Sequence, residues 1–208
     1  ENGSTLTSEN FGEVADKVVT RWNEDNLTWT LTADGTMTIS GSGAMKEYYG
    51  SDDSPAYDNS KIKKVVIENG ITSIGAYAFS SCSNLTDITI PDSVTSIGYR
   101  AFQNCSSLTD ITIPSSVKSI GANAFSGTPW LTSKQKDNPL VIVNGILIDG
   151  TTCSGEVTIP DGVTNIGDSA FQDCTGLTSI VIPEGVTSIG NDAFYNCTGL
   201  TSITIPEG

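Results

Sequence analysis

Apolar residues in this chain recur as one phrase, kept in phase over most of its length. From Leu85 the phrase reads Leu-x-x-Ile-x-Ile to Ile90, then Pro91, Val94, Ile97-Gly98, Ala101-Phe102 and Cys105. An offset of 23 returns it as Leu108, Ile111, Ile113, Pro114, Val117, Ile120-Gly121 and Ala124-Phe125. It appears again from Leu177 to Cys197 and restarts at Leu200. Further copies run from Ile62 to Cys82 and from Val157 to Cys174. A fixed period of this length is the signature of stacked repeats, each too small to bury its own apolar face.

Each position in the phrase has a structural meaning. Leu-x-x-Ile-x-Ile ends in alternation, the period of a strand with one buried face. Pro91, Pro114, Pro160, Pro183 and Pro206 close that strand, because proline has no N–H to donate to a ladder. Val-x-x-Ile predicts a second short extended piece. The glycines at 75, 98, 121, 167 and 190 are expected either at positive φ or where backbone comes close. Ala-Phe predicts a short helical or 3₁₀ turn that drives an aromatic ring into the core. The expected architecture is a β-rich solenoid.

Two segments depart from the phrase. Leu131 to Cys153 keep the period but lose the letters; Val141-Ile-Val and Ile146-Leu-Ile flank Asn144-Gly145, a strong hairpin signal. An irregular, hairpin-bearing repeat is therefore expected at 131–153, with Trp130 covering the joint. In the other segment, Leu27-Thr-Trp29-Thr-Leu31 and Thr36-Met37-Thr-Ile39 alternate around Asp34-Gly35, which predicts a second hairpin. Residues 1–60 are expected to form an N-terminal cap over the open edge of a solenoid spanning 61–208. Tyr48, Tyr49 and Tyr57 are expected to pin that cap to the first coil. The sequence starts at Glu1 without a leader, as a trimmed mature chain would. It stops mid-repeat at Gly208, so either a longer array or an uncovered last strand is expected.

Charge narrows the function classes. Of 208 residues, 24 are acidic, 10 are basic and none is histidine, for a net charge of -14. Such a surface repels phosphate, which excludes nucleic acid and anionic lipid as partners. No basic residue follows Lys136, and no apolar run is long enough to insert in a membrane.

Candidate chemistry is sparse. Without histidine the commonest general base and metal ligand are missing. The five cysteines, an odd number, recur mainly at one core position, so free buried thiols are expected in place of a disulfide framework. Asp92, Asp161 and Glu184 follow strand ends, where acidic residues are ordinary turn chemistry. Asp52-Asp53 lacks the loop pattern of a calcium site. No catalytic residue, metal ligand or cofactor is predicted.

The outward strand positions are the candidates for binding. They are Lys64 and Val66, Asp87 and Thr89, Asp110 and Thr112, then Thr158, Ser179 and Val181. Stacked at strand spacing of about 4.8 Å, they would form a flat, hydroxyl-rich docking face. Threonine's preference for exposed strands accounts for much of the row by itself.

The motif Leu-Thr-x-Ile-x-Ile-Pro-x-x-Val-Thr-x-Ile-Gly-x-x-Ala-Phe-x-x-Cys at 177–197 resembles the BspA-like class of bacterial leucine-rich repeats. The resemblance extends over 62–208, and the Leu27–Met45 and Pro139–Ile148 stretches are similar to segments that accompany such arrays. It implies a leucine-rich-repeat solenoid on a secreted or cell-surface protein that binds and does not catalyse. Its expected role is adhesion, with a host extracellular or cell-surface protein as ligand and a glycan as the other candidate. The class carries no fixed ligand-contact motif. A structural spacer that displays another domain, or a carbohydrate-binding module, are the alternatives.

Overall fold

The computed structural model describes residues 17–49 and 54–205. The acidic pair Asp52-Asp53, the first residues of the chain and Pro206–Gly208 lie outside the described residues. Three strands, β1 (Val18–Glu24), β2 (Leu27–Thr32) and β3 (Thr36–Gly41), form an antiparallel meander. Leu27, Trp29 and Leu31 are buried while the threonines between them are half-exposed, as the alternation predicts. The tight turn is held by Asp34, whose carboxylate accepts from the Thr32 and Thr36 hydroxyls and the Thr36 N–H. Those bonds favour the ionised carboxyl and lower its pKa.

Beyond β3 the ladders between coils are parallel. β3 pairs with β5 (Lys64–Ile67), and β5 pairs with β7 (Asp87–Thr89). A second parallel sheet takes the Val-x-x-Ile pieces: β4 (Gly43–Ala44), β6 (Ile71–Ile74), β8 (Ser96–Ile97) and β9 (Ser119–Ile120). The coils of β5 and β7 thus contribute one strand to each sheet and close with the Ala-Phe turn. The chain is a β-solenoid.

The Ala-Phe segments are hydrogen-bonded turns and not the expected helical or 3₁₀ turn, with i→i+3 bonds such as Ala78 N–H to Gly75 O and Cys82 N–H to Phe79 O. They never lengthen into helix, because a left-handed residue interrupts each one: Tyr77, Arg100, Asn123, Ser169 and Asp192 all have positive φ. Coils also bond to each other here, as in Phe79 N–H to Ala101 O at 2.8 Å. This contact explains the repeated glycine. Gly98 is not at positive φ; a Cβ there would collide with the Gly75–Ala76 backbone of the preceding coil. Close approach, not left-handed geometry, fixes the residue.

Stacked rings fill the core. Phe79 and Phe102 lie 5.4 Å apart at 10°, and Phe102 and Phe125 5.6 Å apart at 4°. A tryptophan closes each end of the column: Trp29 lies 5.6 Å from Phe79, and Trp130 lies 4.7 Å from Phe125. Tyr48 is buried edge-on to Trp29, donates its hydroxyl to Glu24 and gives its N–H to Ala76 O at 3.1 Å, so it ties the meander to the first coil. Tyr49 does not share this role and is exposed.

The irregular repeat holds the expected hairpin, β10 (Val141–Val143) and β11 (Ile146–Asp149), with Asn144 and Gly145 both at positive φ. It also holds an α-helix that the apolar pattern missed, α1 (Pro129–Asp137). The signal lay in Thr128-Pro129. The Thr128 hydroxyl caps the helix by accepting from Leu131 N–H, and Pro129 occupies its first turn. Only Trp130 and Leu131 are buried, so the helix carries almost no apolar period to read. Beyond it the array resumes with β12 (Gly155–Thr158), β14 (Leu177–Val181) and β16 (Ser202–Thr204) in one sheet. β13 (Asn165–Ile166) and β15 (Ser188–Ile189) extend the hairpin's sheet.

Candidate binding faces

None of the nine sequence-predicted face residues is buried, and the ladders put seven of them in two groups. Lys64 is the register partner of Asp87, and Val66 that of Thr89. The Lys64 Nζ stands 2.9 Å from Asp87 Oδ2 on the surface. In the second group Thr158 pairs with Val181, while Ser179 sits between Glu156 and Ser202. Beneath both groups the inward residues Val65, Ile88 and Ile180 are buried, so parity along each strand sets what faces out.

One expectation needs correction. Asp110 and Thr112 are exposed but belong to no ladder, and the predicted single face is divided into two sheets. The coil that follows differs as well. It opens with a helix instead of a strand, and the Leu108 carbonyl accepts from Trp130 N–H at 3.0 Å. The 109–113 stretch pairs neither with β7 of the coil before it nor with a strand of the coil after it.

The cysteines are all free thiols. Cys82 and Cys105 are buried and donate to the Ala56 and Phe79 carbonyls of the preceding coil, at 2.9 and 3.1 Å. Burial disfavours the thiolate, pushing Cys105 up to about 12 and Cys153 up to about 11. Such thiols are poor nucleophiles, and their geometry serves packing between coils. Among the described residues no group of three or more His, Cys, Asp or Glu side chains gathers to hold a metal.

The sequence of the array matches the model of the BspA type leucine-rich repeat region, in six copies, over residues 53–143 and 149–208. The chain belongs to the BspA-type leucine-rich repeat family. The break in that match falls within the irregular repeat, at the hairpin strand β11. No curated relative was found. Among solved structures, the BspA-type array is similar to a leucine-rich repeat protein from Eubacterium ventriosum, at 25% identity and a TM-score of 0.48. That likeness covers 87% of this chain and 70% of the other. A T. pallidum leucine-rich repeat protein is 26% identical, with a TM-score of 0.40 over 90% and 84% of the two chains. A leucine-rich cell surface protein from Faecalibacterium prausnitzii is 23% identical, with a TM-score of 0.36 over 91% and 77%.

Proposed function

We propose that this BspA-type array is a non-enzymatic binding module of a secreted or surface protein, and that it adheres to host extracellular proteins or other cells through its outward strand faces. The observation that carries the proposal is the outward row itself. Asp87, Thr89, Thr158 and Val181 are exposed on parallel ladders whose spacing the core beneath holds fixed. The fold does not use these side chains for packing, and a rigid face loses little entropy when it docks. The family resemblance supports both the surface location and the adhesive role. No helix among the described residues is long and apolar enough to cross a membrane. The parallel pairing of β3 with β5 supports treating residues 1–60 as a cap and 61–208 as the array, with 131–153 as its irregular coil.

The test is binding of the purified chain to immobilised matrix proteins and mucins at near-physiological salt. Saturable capture that weakens at least tenfold in Asp87→Lys or Thr89→Arg, with Thr158→Arg as the probe of the second sheet, supports adhesion through the strand faces. Saturable capture indifferent to all three variants removes those faces from the interaction. No capture by any of the proteins rejects the adhesive reading for this segment.

A further inference from the structure

The irregular coil is short on its turn side. Ile146 and Leu147 of β11 pair with Asn165 and Ile166, a smaller step than the one relating Ser96 to Ser119 in the regular coils. After β11 the chain makes no Ala-Phe turn. Gly150 stands there instead, and a Cβ on it would fall within the Phe171 ring of the next coil. The ring column of Phe79, Phe102 and Phe125 therefore stops at Trp130, and a separate stack begins with Phe171 and Phe194. Where the turn is missing, the turn side of the solenoid opens into a cavity of about 390 Å³. Tyr99, Arg100 and Asn123 line it from coils before the joint; Asp168, Gln172 and Asp192 line it from coils after. Its size falls within the roughly 300–1,000 Å³ of small-molecule sites.

The lining is held in place by ring packing and hydrogen bonds. Tyr77 and Tyr99 meet edge to face at 5.3 Å, and the Arg100 guanidinium lies over the Tyr99 ring, 4.8 Å from its centroid. Arg100 Nη1 donates to the Tyr77 hydroxyl at 3.3 Å. The ion pairs found among the described residues involve Lys46 and Lys64 only, so the guanidinium is held by rings and not by a carboxylate. Across the joint, Asp168 Oδ1 accepts from the Asn191 N–H at 2.7 Å, which fixes that carboxylate at the rim. Asn123 and Asp192 are each held at positive φ. The cavity thus presents a fixed donor, two carboxylate acceptors, three side-chain amides that both donate and accept, and a tyrosine that is 38% exposed.

Vicinal hydroxyls are the chemical match for that set, since each hydroxyl donates to a carboxylate while accepting from a guanidinium or amide. The apolar C–H faces of a pyranose suit the exposed part of the Tyr99 ring. Two carboxylates against one guanidinium, on a chain of net charge -14, disfavour an anionic ligand. We propose that the cleft at the coil joint is a carbohydrate-binding site for an uncharged saccharide of one or two pyranose rings. It lies apart from the strand faces, so adhesion through one does not require the other.

Titration of the full chain with cellotetraose, mannotetraose and chitotetraose, followed by saturation-transfer NMR and calorimetry, tests the site. At least one of these saccharides binds saturably to the wild type. Gln172→Ala and Asp192→Asn weaken that binding about tenfold each, the effect of losing one hydrogen bond to a charged or well-placed partner. Both positions lie at the surface and Asn tolerates positive φ, so circular dichroism of the variants matches the wild type. Arg100→Ala abolishes binding, and Asp87→Asn on the strand face leaves it unchanged. Absence of saturable binding to all three saccharides overturns the proposal. So does binding that survives the Gln172, Asp192 and Arg100 substitutions, or a preference for tetragalacturonate over the uncharged set.

Discussion

The Phe171 ring lies directly over Gly150, in the space where any other residue would place its Cβ. Phe171 is fully buried and stacks on Phe194 at 5.1 Å, so it cannot move aside without disturbing the coil beyond. Gly150→Ala therefore costs about 1–3 kcal/mol, the range for forcing extra volume into a packed core. The comparison is Gly185→Ala, where the nearest atom to a new Cβ is Val163 O at an ordinary 3.4 Å and φ is not positive. Urea denaturation of both variants checks the difference; equal midpoints would show that the Phe171 ring has room to relax.

The ring column makes a second prediction. Phe102 is stacked on both faces, between Phe79 and Phe125, whereas Phe194 is only half-buried at the far end of its pair. Phe102→Ala removes about 3–5 kcal/mol and Phe194→Ala distinctly less. Coils contact only their neighbours, so a break at Phe102 also weakens the coupling between the two sides of the array. Calorimetry is expected to record a single sharp transition for wild type and a broadened one for Phe102→Ala.

Much of this was legible in the letters. Strand parity, the two hairpins and the free thiols all follow from period-2 and 23-residue patterns, because each expresses a side chain that must point inward. What the pattern could not reveal was anything set by contact between coils. α1 buries only Trp130 and Leu131, so its apolar period is nearly silent, and its sole marker was the Thr128-Pro129 cap. The loss of pairing at Asp110 and Thr112 has no local signal, since residues 108–114 repeat the letters of 85–91, which hold β7. The cleft near Tyr99 and Arg100 arises from an omitted turn elsewhere in the chain, and no local motif announces it.

The surface ion pair on the candidate face is expected to contribute little to folding. Lys64 and Asp87 side chains are 45% and 56% exposed, so solvent screens their attraction. Asp87→Asn should shift stability by no more than about 1 kcal/mol, and less at high salt. Thermal melts at low and high ionic strength check this. A large loss would disqualify Asp87 variants as binding probes, because altered folding would then mimic altered contact.

Alkaline pH should weaken the fold through its buried thiols. In the unfolded chain a cysteine ionises near its ordinary pKa of about 8.5. In the folded chain burial raises Cys153 to about 11 and Cys105 to about 12, and raises Cys82 further in the same direction. Above the unfolded pKa the unfolded state has released protons that the native state still holds, so the free energy of unfolding falls as pH rises. The stabilising contribution is complete below about pH 8.5 and is lost progressively toward pH 12. Denaturant midpoints measured from pH 7 to pH 11 should decline, and Cys105→Ala should flatten that decline while lowering the midpoint at pH 7. The same burial protects the thiols from modification: half-buried Cys197 reacts with a thiol reagent before Cys82 or Cys105. A Cys105 that reacted as quickly as Cys197 in the native protein would mean the coil opens locally, and the pH slope would then report that opening instead of a closed core.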